Sequence, residues 1–429
     1  MKRILLTLLL ATAVLAGIAG VKEDFRKNVR ISAGNYQAYP DADLPQLTPS
    51  PAGYEPFFIN HYGRHGSRWL IGKRLYNFPV EQLELGEKAG KLTRRGAEVL
   101  AILRDLRDSA QGRDGELSDI GAEQHQGIAR RMVENFPQVW KGAPIVRARS
   151  TTVRRCILSM QNEVDVLKSL NPDMQIYTDA SKAEMFYMNY SDPVVKPLRE
   201  SAYHHFEEFK ERHVKAHRFL KKLFSDVKWA EHNIEGTDLM ITLFDVVGNM
   251  QSHHQWENVN LYDLYSQDDV YQLWRYNNVR WYIFSGETPL TQCRVDFIEA
   301  NLLRSFIEDA DRAIAHGGNS ASLRFGHESV VLPLVCLMGI NGADYQTTDL
   351  ETLDRYWQSY KIFPMACNVQ MVYYRSAAGG DILVKVLLNE REATLPVKTD
   401  MAPYYRWKDV RDYYMDKLSR EPFIQPIIQ

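Results

Sequence analysis

Apolar positions along the chain switch between two periods. The continuous run Phe57-Phe58-Ile59, ending near His61, predicts a buried strand over 57–61. Leu92, Val99, Leu100, Leu103 and Leu106 recur at helical spacing, predicting a helix over 92–106. A second helix is expected from Ser118, an N-cap residue type, to about 136. Residues 144–148 and 174–177 read as short strands on either side of a helix over 153–170. From 182 to 289 the pattern becomes mostly helical. Phe206, Phe209, Ala216, Leu220 and Leu223 carry it first, then Leu239, Leu243, Val246, Val247 and Met250. Ser266 ahead of Asp268 and Asp269 marks another helix start, followed by the aromatic run 271–284. This block reads as a helical insert covering one side of an α/β core.

Beyond the insert, a helix over 295–315 ends at Gly317-Gly318, strand character returns at 322–326, and a helix with Val330, Val331, Leu334 and Val335 follows His327. Strands over 369–374 and 382–388 flank Gly379-Gly380-Asp381, which predicts a hairpin. Residues 33–56, with Pro40, Pro45, Pro49, Pro51 and Pro56, read as an extended surface lead-in.

The 429 residues are 45% hydrophobic with a mean hydropathy of −0.37, enough for a large core in two lobes. Lys2 and Arg3, the apolar stretch 4–19 and the small residues Gly17-Ile18-Ala19 read as a secretory signal over 1–20. An exported protein, periplasmic or secreted, without stable membrane insertion is expected. Its removal leaves 50 basic against 54 acidic residues, a net of −4. With no basic excess to release counterions, nucleic acid is not an expected partner, and any anion site must be a local cluster. Cys156, Cys293, Cys336 and Cys367 show no CxxC spacing, so no zinc ribbon is indicated. Cys156 and Cys336 fall in apolar helical patterns and are expected as buried thiols.

Candidate chemistry concentrates in Arg64-His65-Gly66-Ser67-Arg68, directly after the first strand. Arginine forks match phosphate oxygens, and an imidazole nitrogen is a competent nucleophile toward phosphorus. Loops at strand C-terminal ends are where open α/β sheets bind ligands. Three further segments stand in order: Gly115-Glu116-Leu117-Ser118-Asp119-Ile120-Gly121 with Gln124-His125; Arg149-Ser150-Thr151 through Arg155 to Ser159; and Phe325-Gly326-His327-Glu328-Ser329.

Together these four segments resemble the histidine acid phosphatases, in particular the branch of phytases and multiple inositol polyphosphate phosphatases. The resemblance spans about residues 57–390. It implies a three-layer α/β/α sandwich core, 21–181 and 290–429, with a mostly helical lobe inserted at 182–289 and the site in the cleft between. It implies that His65 becomes a phosphohistidine and that Arg64, Arg68 and Arg155 hold the non-bridging oxygens, with Arg149 a weaker candidate. His327 would contact the same oxygens and stabilise the transition state, and Glu328 would protonate the leaving alcohol. One feature departs from the pattern: Glu328 follows His327 directly, where phytase-like members carry Asp and the inositol-polyphosphate branch often carries Glu one position later. The substrate implied is a small phosphorylated molecule, with phytate foremost.

Phosphoryl transfer needs positioning and dispersed positive charge, which three arginines can supply, so no cofactor or metal is expected. Lys73 and Arg74 are candidates for further substrate phosphates. The basic stretch Lys210, Arg212, His213, Lys215, Arg218, Lys221 and Lys222 is interleaved with acids and reads as a solvated face. His213 and His217 belong to that face, and His253-His254 lacks an acidic cluster for a metal. Two other readings remain compatible with the motifs: a phosphotransferase of the phosphoglycerate-mutase type, and a catalytically silent relative that captures phosphorylated ligands.

Overall fold

The computed structural model describes residues 20–42 and 44–420. The expected leader, apart from Gly20, lies outside the described residues. Eight strands form one sheet: β1 (Tyr54–Arg64), β2 (Ile145–Ser150), β3 (Gln175–Asp179), β4 (Ser320–Gly326), β5 (Asn368–Ser376), β6 (Leu383–Leu388), β7 (Arg391–Ala393) and β8 (Tyr404–Arg406). The order is β3-β2-β4-β1-β5-β6-β7, with β8 also pairing β6. Strands β3, β2, β4 and β1 run parallel, whereas β5 lies antiparallel to β1 and β6 antiparallel to β5.

Alternation along the strands builds two cores. Ile59, Val146, Ala148, Leu323, Phe325 and Val372 face the helices Asp119–Asn135 and Arg154–Leu170. Phe58, Tyr62, Met371, Tyr373 and Val386 face Ala300–His316, Glu328–Met338 and Trp407–Ser419. This is a sheet between two helical layers, the α/β/α arrangement expected. A separate apolar cluster joins residues between Trp69 and Ala110 to residues between Val214 and Trp274.

The predicted elements appear with shifted ends. The first strand, expected over 57–61, runs three residues further each way, and its polar residues Asn60, His61 and Arg64 are buried in it. The Ser118 hydroxyl caps its helix by accepting from Gly121 N at 3.2 Å, and Ser266 with Asp269 forms a capping box. The helix Arg74–Lys88 has no counterpart among the predicted elements; Pro79 interrupts its pattern from inside. The lead-in is corrected. Ala33, Gly34 and Asn35 are buried in the 3-10 segment Val29–Tyr36, and Gln37 and Tyr39 are buried after it, so its first part is wall rather than surface. All four cysteines are free, with Cys156, Cys336 and Cys367 buried. Among the described residues no helix is long and apolar enough to cross a membrane.

Candidate active site

Three parallel neighbours, β2, β4 and β1, end at one edge of the sheet, and each delivers part of a single site there. Register places Arg64 opposite Gly326 and Ser150 opposite Phe325, so the residues that follow these strands emerge side by side. The loop after β1 is pinned at each peptide. His65 N donates to Gly326 O at 2.9 Å, Gly66 N to Ser159 Oγ at 3.1 Å, and Ser67 N to Gln124 Oε1 at 2.8 Å. Gln124 Nε2 returns a bond to Ser67 Oγ at 3.0 Å. The loop lies so close to the first turn of Asp119–Asn135 that a Cβ on Gly66 or on Gly121 would collide with the other segment's backbone. That contact seats the Gly121 end of the second segment directly against the histidine motif.

His65 is fully buried, and its Nδ1 lies 2.9 Å from Gly66 O. A carbonyl only accepts, so Nδ1 carries the proton and Nε2 keeps its lone pair. Nε2 is buried without a hydrogen-bond partner. Burial, then Arg64, Arg68, Arg155 and His327, hold the imidazole well below the usual histidine range, so the ring is neutral. A neutral ring with a free Nε2 lone pair is the nucleophilic form.

The surrounding guanidiniums are short of partners. Arg64 Nη1 donates to the Asn35 and Phe363 carbonyls at 2.6 and 3.1 Å, but Nε and Nη2 make no hydrogen bond. Arg68 Nη1 donates to Trp69 O at 2.9 Å while its Nε has no partner, and Arg155 Nε has none either. A Cβ on Gly115 would lie 3.4 Å from Arg155 Nη1, which places that head beside the second motif. Unpaired buried donors are costly, and several in one place are the imprint of an oxyanion site.

The Glu328 carboxylate touches this cage, with Oε2 3.0 Å from Arg64 Nε and 3.6 Å from His65 Nε2. The Arg64 contact has ion-pair distance but not hydrogen-bond geometry. Burial pushes the Glu328 carboxyl up, yet Arg64, Arg68 and His327 outweigh it and hold it at about 2. His327 begins the helix Glu328–Met338, 5.8 Å ring to ring from His65, with Nε2 3.2 Å from Thr151 Oγ1. Burial, assisted by the arginines against Glu328, lowers it to about 4, so it too is neutral. Donor atoms of His65, His327 and Glu328 lie within 4.8 Å of one another, a spacing a metal ion can use. Three guanidiniums face the same space, so its charge favours an anion over a cation.

The structure therefore brings together Arg64, His65, Arg68, Arg155, His327 and Glu328. Arg149 points elsewhere, to Glu184 at 3.4 Å, Asp309 at 3.5 Å and Ser322 at 3.1 Å. Lys73 and Arg74 are exposed at the start of the helix Arg74–Lys88, where Lys73 lines a cavity of about 580 Å³ with Tyr76 and Arg107, and Arg74 covers Phe78. Within the basic stretch Lys210 pairs with Glu207 and Asp238, Arg212 and His213 with Glu351, and Arg218 with Asp268. Contacts of Asn35, Gln124, Thr151 and Ser159 with the site were not anticipated. Gln124, Thr151 and Ser159 stood inside the recognised segments. Asn35 acts through a backbone carbonyl, which leaves no trace in residue type.

No protein-family model matches the chain. Solved structures do. The apo multiple inositol polyphosphate phosphatase of Bifidobacterium longum aligns with a TM-score of 0.70 at 18% identity, over 90% of this chain and 97% of that one. Its complex with inositol hexasulfate gives 0.68 at 17% identity, over the same shares of both chains. The phytase of D. castellii gives 0.65 at 14% identity, over 91% of this chain and 85% of that one. At such identities the likeness establishes a common fold, the one implied by the four segments.

Proposed function

We propose that this chain is an exported phosphomonoesterase that hydrolyses inositol polyphosphates such as phytate through a phosphohistidine. The observation that carries the reading is the neutral His65, its Nε2 unpartnered among three underbonded guanidiniums. The shared fold supports it, since neighbours with that fold are phosphatases of inositol polyphosphates and phytases. On this reading the site lies in the cleft between the core, 21–181 and 290–429, and the helical insert, 182–289. Asn249 of the insert donates to the Arg68 carbonyl at 2.9 Å, so the insert reaches the loop that carries the site.

Arg64, Arg68 and Arg155 hold the non-bridging oxygens, joined by His327, and Nε2 of His65 attacks phosphorus as the bond to the leaving oxygen breaks. Glu328 is the proton donor. In the resting site it is ionised and rests against Arg64, where an incoming phosphate oxygen belongs. A substrate entering as its monoanion displaces the carboxylate and brings the proton that Glu328 then gives to the departing alkoxide. Water cleaves the P–N bond, with Glu328 as base. Lys73 and Arg74 are the candidates for outlying phosphates. The test is phosphate release from phytate, a sugar phosphate and an aryl phosphate, with acid-quench trapping of a labelled phosphohistidine. Release with a label lost in His65→Ala upholds the proposal. Tight phytate binding without release supports a silent ligand-binding relative instead, and transfer to 3-phosphoglycerate a mutase-type enzyme.

A further inference from the structure

Opposite the sheet edge, the site is walled by a segment that precedes the first strand. Asn35 of Val29–Tyr36 accepts from Arg64, and the next residue, Tyr36, carries its ring 5.8 Å from the Arg68 guanidinium. No hydrogen bond ties the Tyr36 hydroxyl among the described residues. Its surroundings are nonetheless highly charged. Burial and Asp245 push the phenol up to about 12, with Glu328 adding to this and Arg68 and Arg64 opposing it. With its ring beside Arg68 and its neighbour Asn35 bonded to Arg64, the phenol borders the cage, and it stays protonated at any working pH, a permanent donor.

Asp245 is held behind it by the helix Gly236–Asn249. That helix comes close because position 248 is glycine: a Cβ there would lie 2.9 Å from Ala33 Cβ and 3.6 Å from Tyr36 Cβ. Asp245 precedes Gly248 by three residues and Asn249 by four, so the three share one face. Asn249 already bonds the Arg68 carbonyl at 2.9 Å, which fixes that face against the catalytic loop.

Taking the proposed anion site as its premise, we infer that Tyr36 is a substrate-contacting residue whose hydroxyl donates to a phosphate oxygen the arginines leave uncovered, and that Asp245, on the helix packed behind it, sets the charge of that wall. Charged acceptors make such bonds stronger than neutral ones. Burial raises the Asp245 carboxyl to about 7 against the opposing pull of Arg280, with the phenols of Tyr265 and Tyr276 also nearby. Below that pH the wall is neutral; above it a carboxylate stands behind the donor and repels the bound anion.

Inorganic sulfate is the probe, because its charge does not change in this range. Calorimetric Kd values and kcat/KM on an aryl phosphate are compared for the wild type, Tyr36→Phe and Asp245→Asn, with thermal melts confirming the fold. Tyr36→Phe is expected to raise the sulfate Kd and lower kcat/KM by about tenfold. Wild-type sulfate affinity should fall above about pH 7, and Asp245→Asn should remove that fall. A folded Tyr36→Phe with Kd and kcat/KM within about twofold of wild type overturns the contact. A pH dependence surviving in Asp245→Asn overturns the assignment of Asp245. If the wild type binds sulfate but hydrolyses no ester, the phosphatase reading fails while the Kd comparison still decides Tyr36. If sulfate does not bind, both fall.

Discussion

Two arginine–carboxylate centres sit on adjacent strands, and they differ in how completely they are bonded. Arg324 on β4 and Arg64 on β1 are both fully buried. Both partner carboxylates, Asp309 and Glu328, are pushed up by burial and pulled down by arginines to about 2. Arg324 spends both terminal nitrogens on Asn60, Ser305 and Asp309 and leaves only Nε without a partner, and Asp309 is further held by Ser322, Arg149 and Arg312. Arg64 has carbonyl acceptors on one nitrogen only, and Glu328 rests against it without a hydrogen bond. Similar acidity therefore conceals different purposes. The nearly saturated centre serves the fold, and the unsaturated one is, on the proposed function, the seat of an anion.

The sharpest way to break this contrast is at His65, the proposed nucleophile of the unsaturated centre. His65→Ala is expected to lower turnover by about 10⁴-fold or more while leaving the melting temperature near wild type. Substantial residual turnover, or a collapse of the fold, would place His65 with the structural centre instead. The saturated centre should respond in the opposite sense. Asp309→Ala strands a buried guanidinium and should cost about 3–5 kcal/mol in denaturant unfolding, with kcat on the remaining folded protein nearly unchanged. A stable but inactive Asp309→Ala would erase the distinction.

The two centres were not equally legible in the sequence. The unsaturated one lies in short contiguous motifs at strand ends, where Arg-His-Gly and His-Glu spell out chemistry within a few residues. The saturated one joins Asn60, Ser305, Asp309 and Arg324 across three elements, and nothing local marks Arg324 as more than a charge in a strand. Arg149 illustrates the same limit, since one step of strand alternation turned it toward Asp309 and away from His65. Helices with clean spacing were readable. The wall at Asn35 and Tyr36 was not, because its contacts run through a carbonyl and a ring brought in from a Pro-rich approach.

Glu328 tests whether the loosely held carboxylate is chemical rather than structural. Glu328→Gln keeps the volume and removes the acid. It should slow alkyl phosphate cleavage by about 10²-fold while affecting aryl phosphates, whose leaving groups need less protonation, far less. Equal losses on both classes, measured as kcat, would leave Glu328 as a spacer in the cage and return the proton to another donor.

The smallest expected effect compares the two carboxylates in acid. Each has a folded pKa depressed to about 2 from the ordinary value near 4, so each contributes stability that is complete above about pH 4 and is lost as pH falls toward 2. Between about pH 4 and pH 3 each should account for about 1 kcal/mol of lost stability. Asp309→Asn and Glu328→Gln should therefore each flatten the pH dependence of unfolding by a similar amount in the free protein. An anion in the cage should separate them. Sulfate displaces the Glu328 carboxylate from Arg64 and raises its pKa toward the unfolded value, so under saturating sulfate Glu328→Gln should match the wild-type slope. Asp309, closed off by its own hydrogen bonds, should keep its contribution. Denaturant unfolding across this range with and without sulfate checks it, and a Glu328 contribution indifferent to sulfate would mean that its carboxylate and the anion do not compete for Arg64.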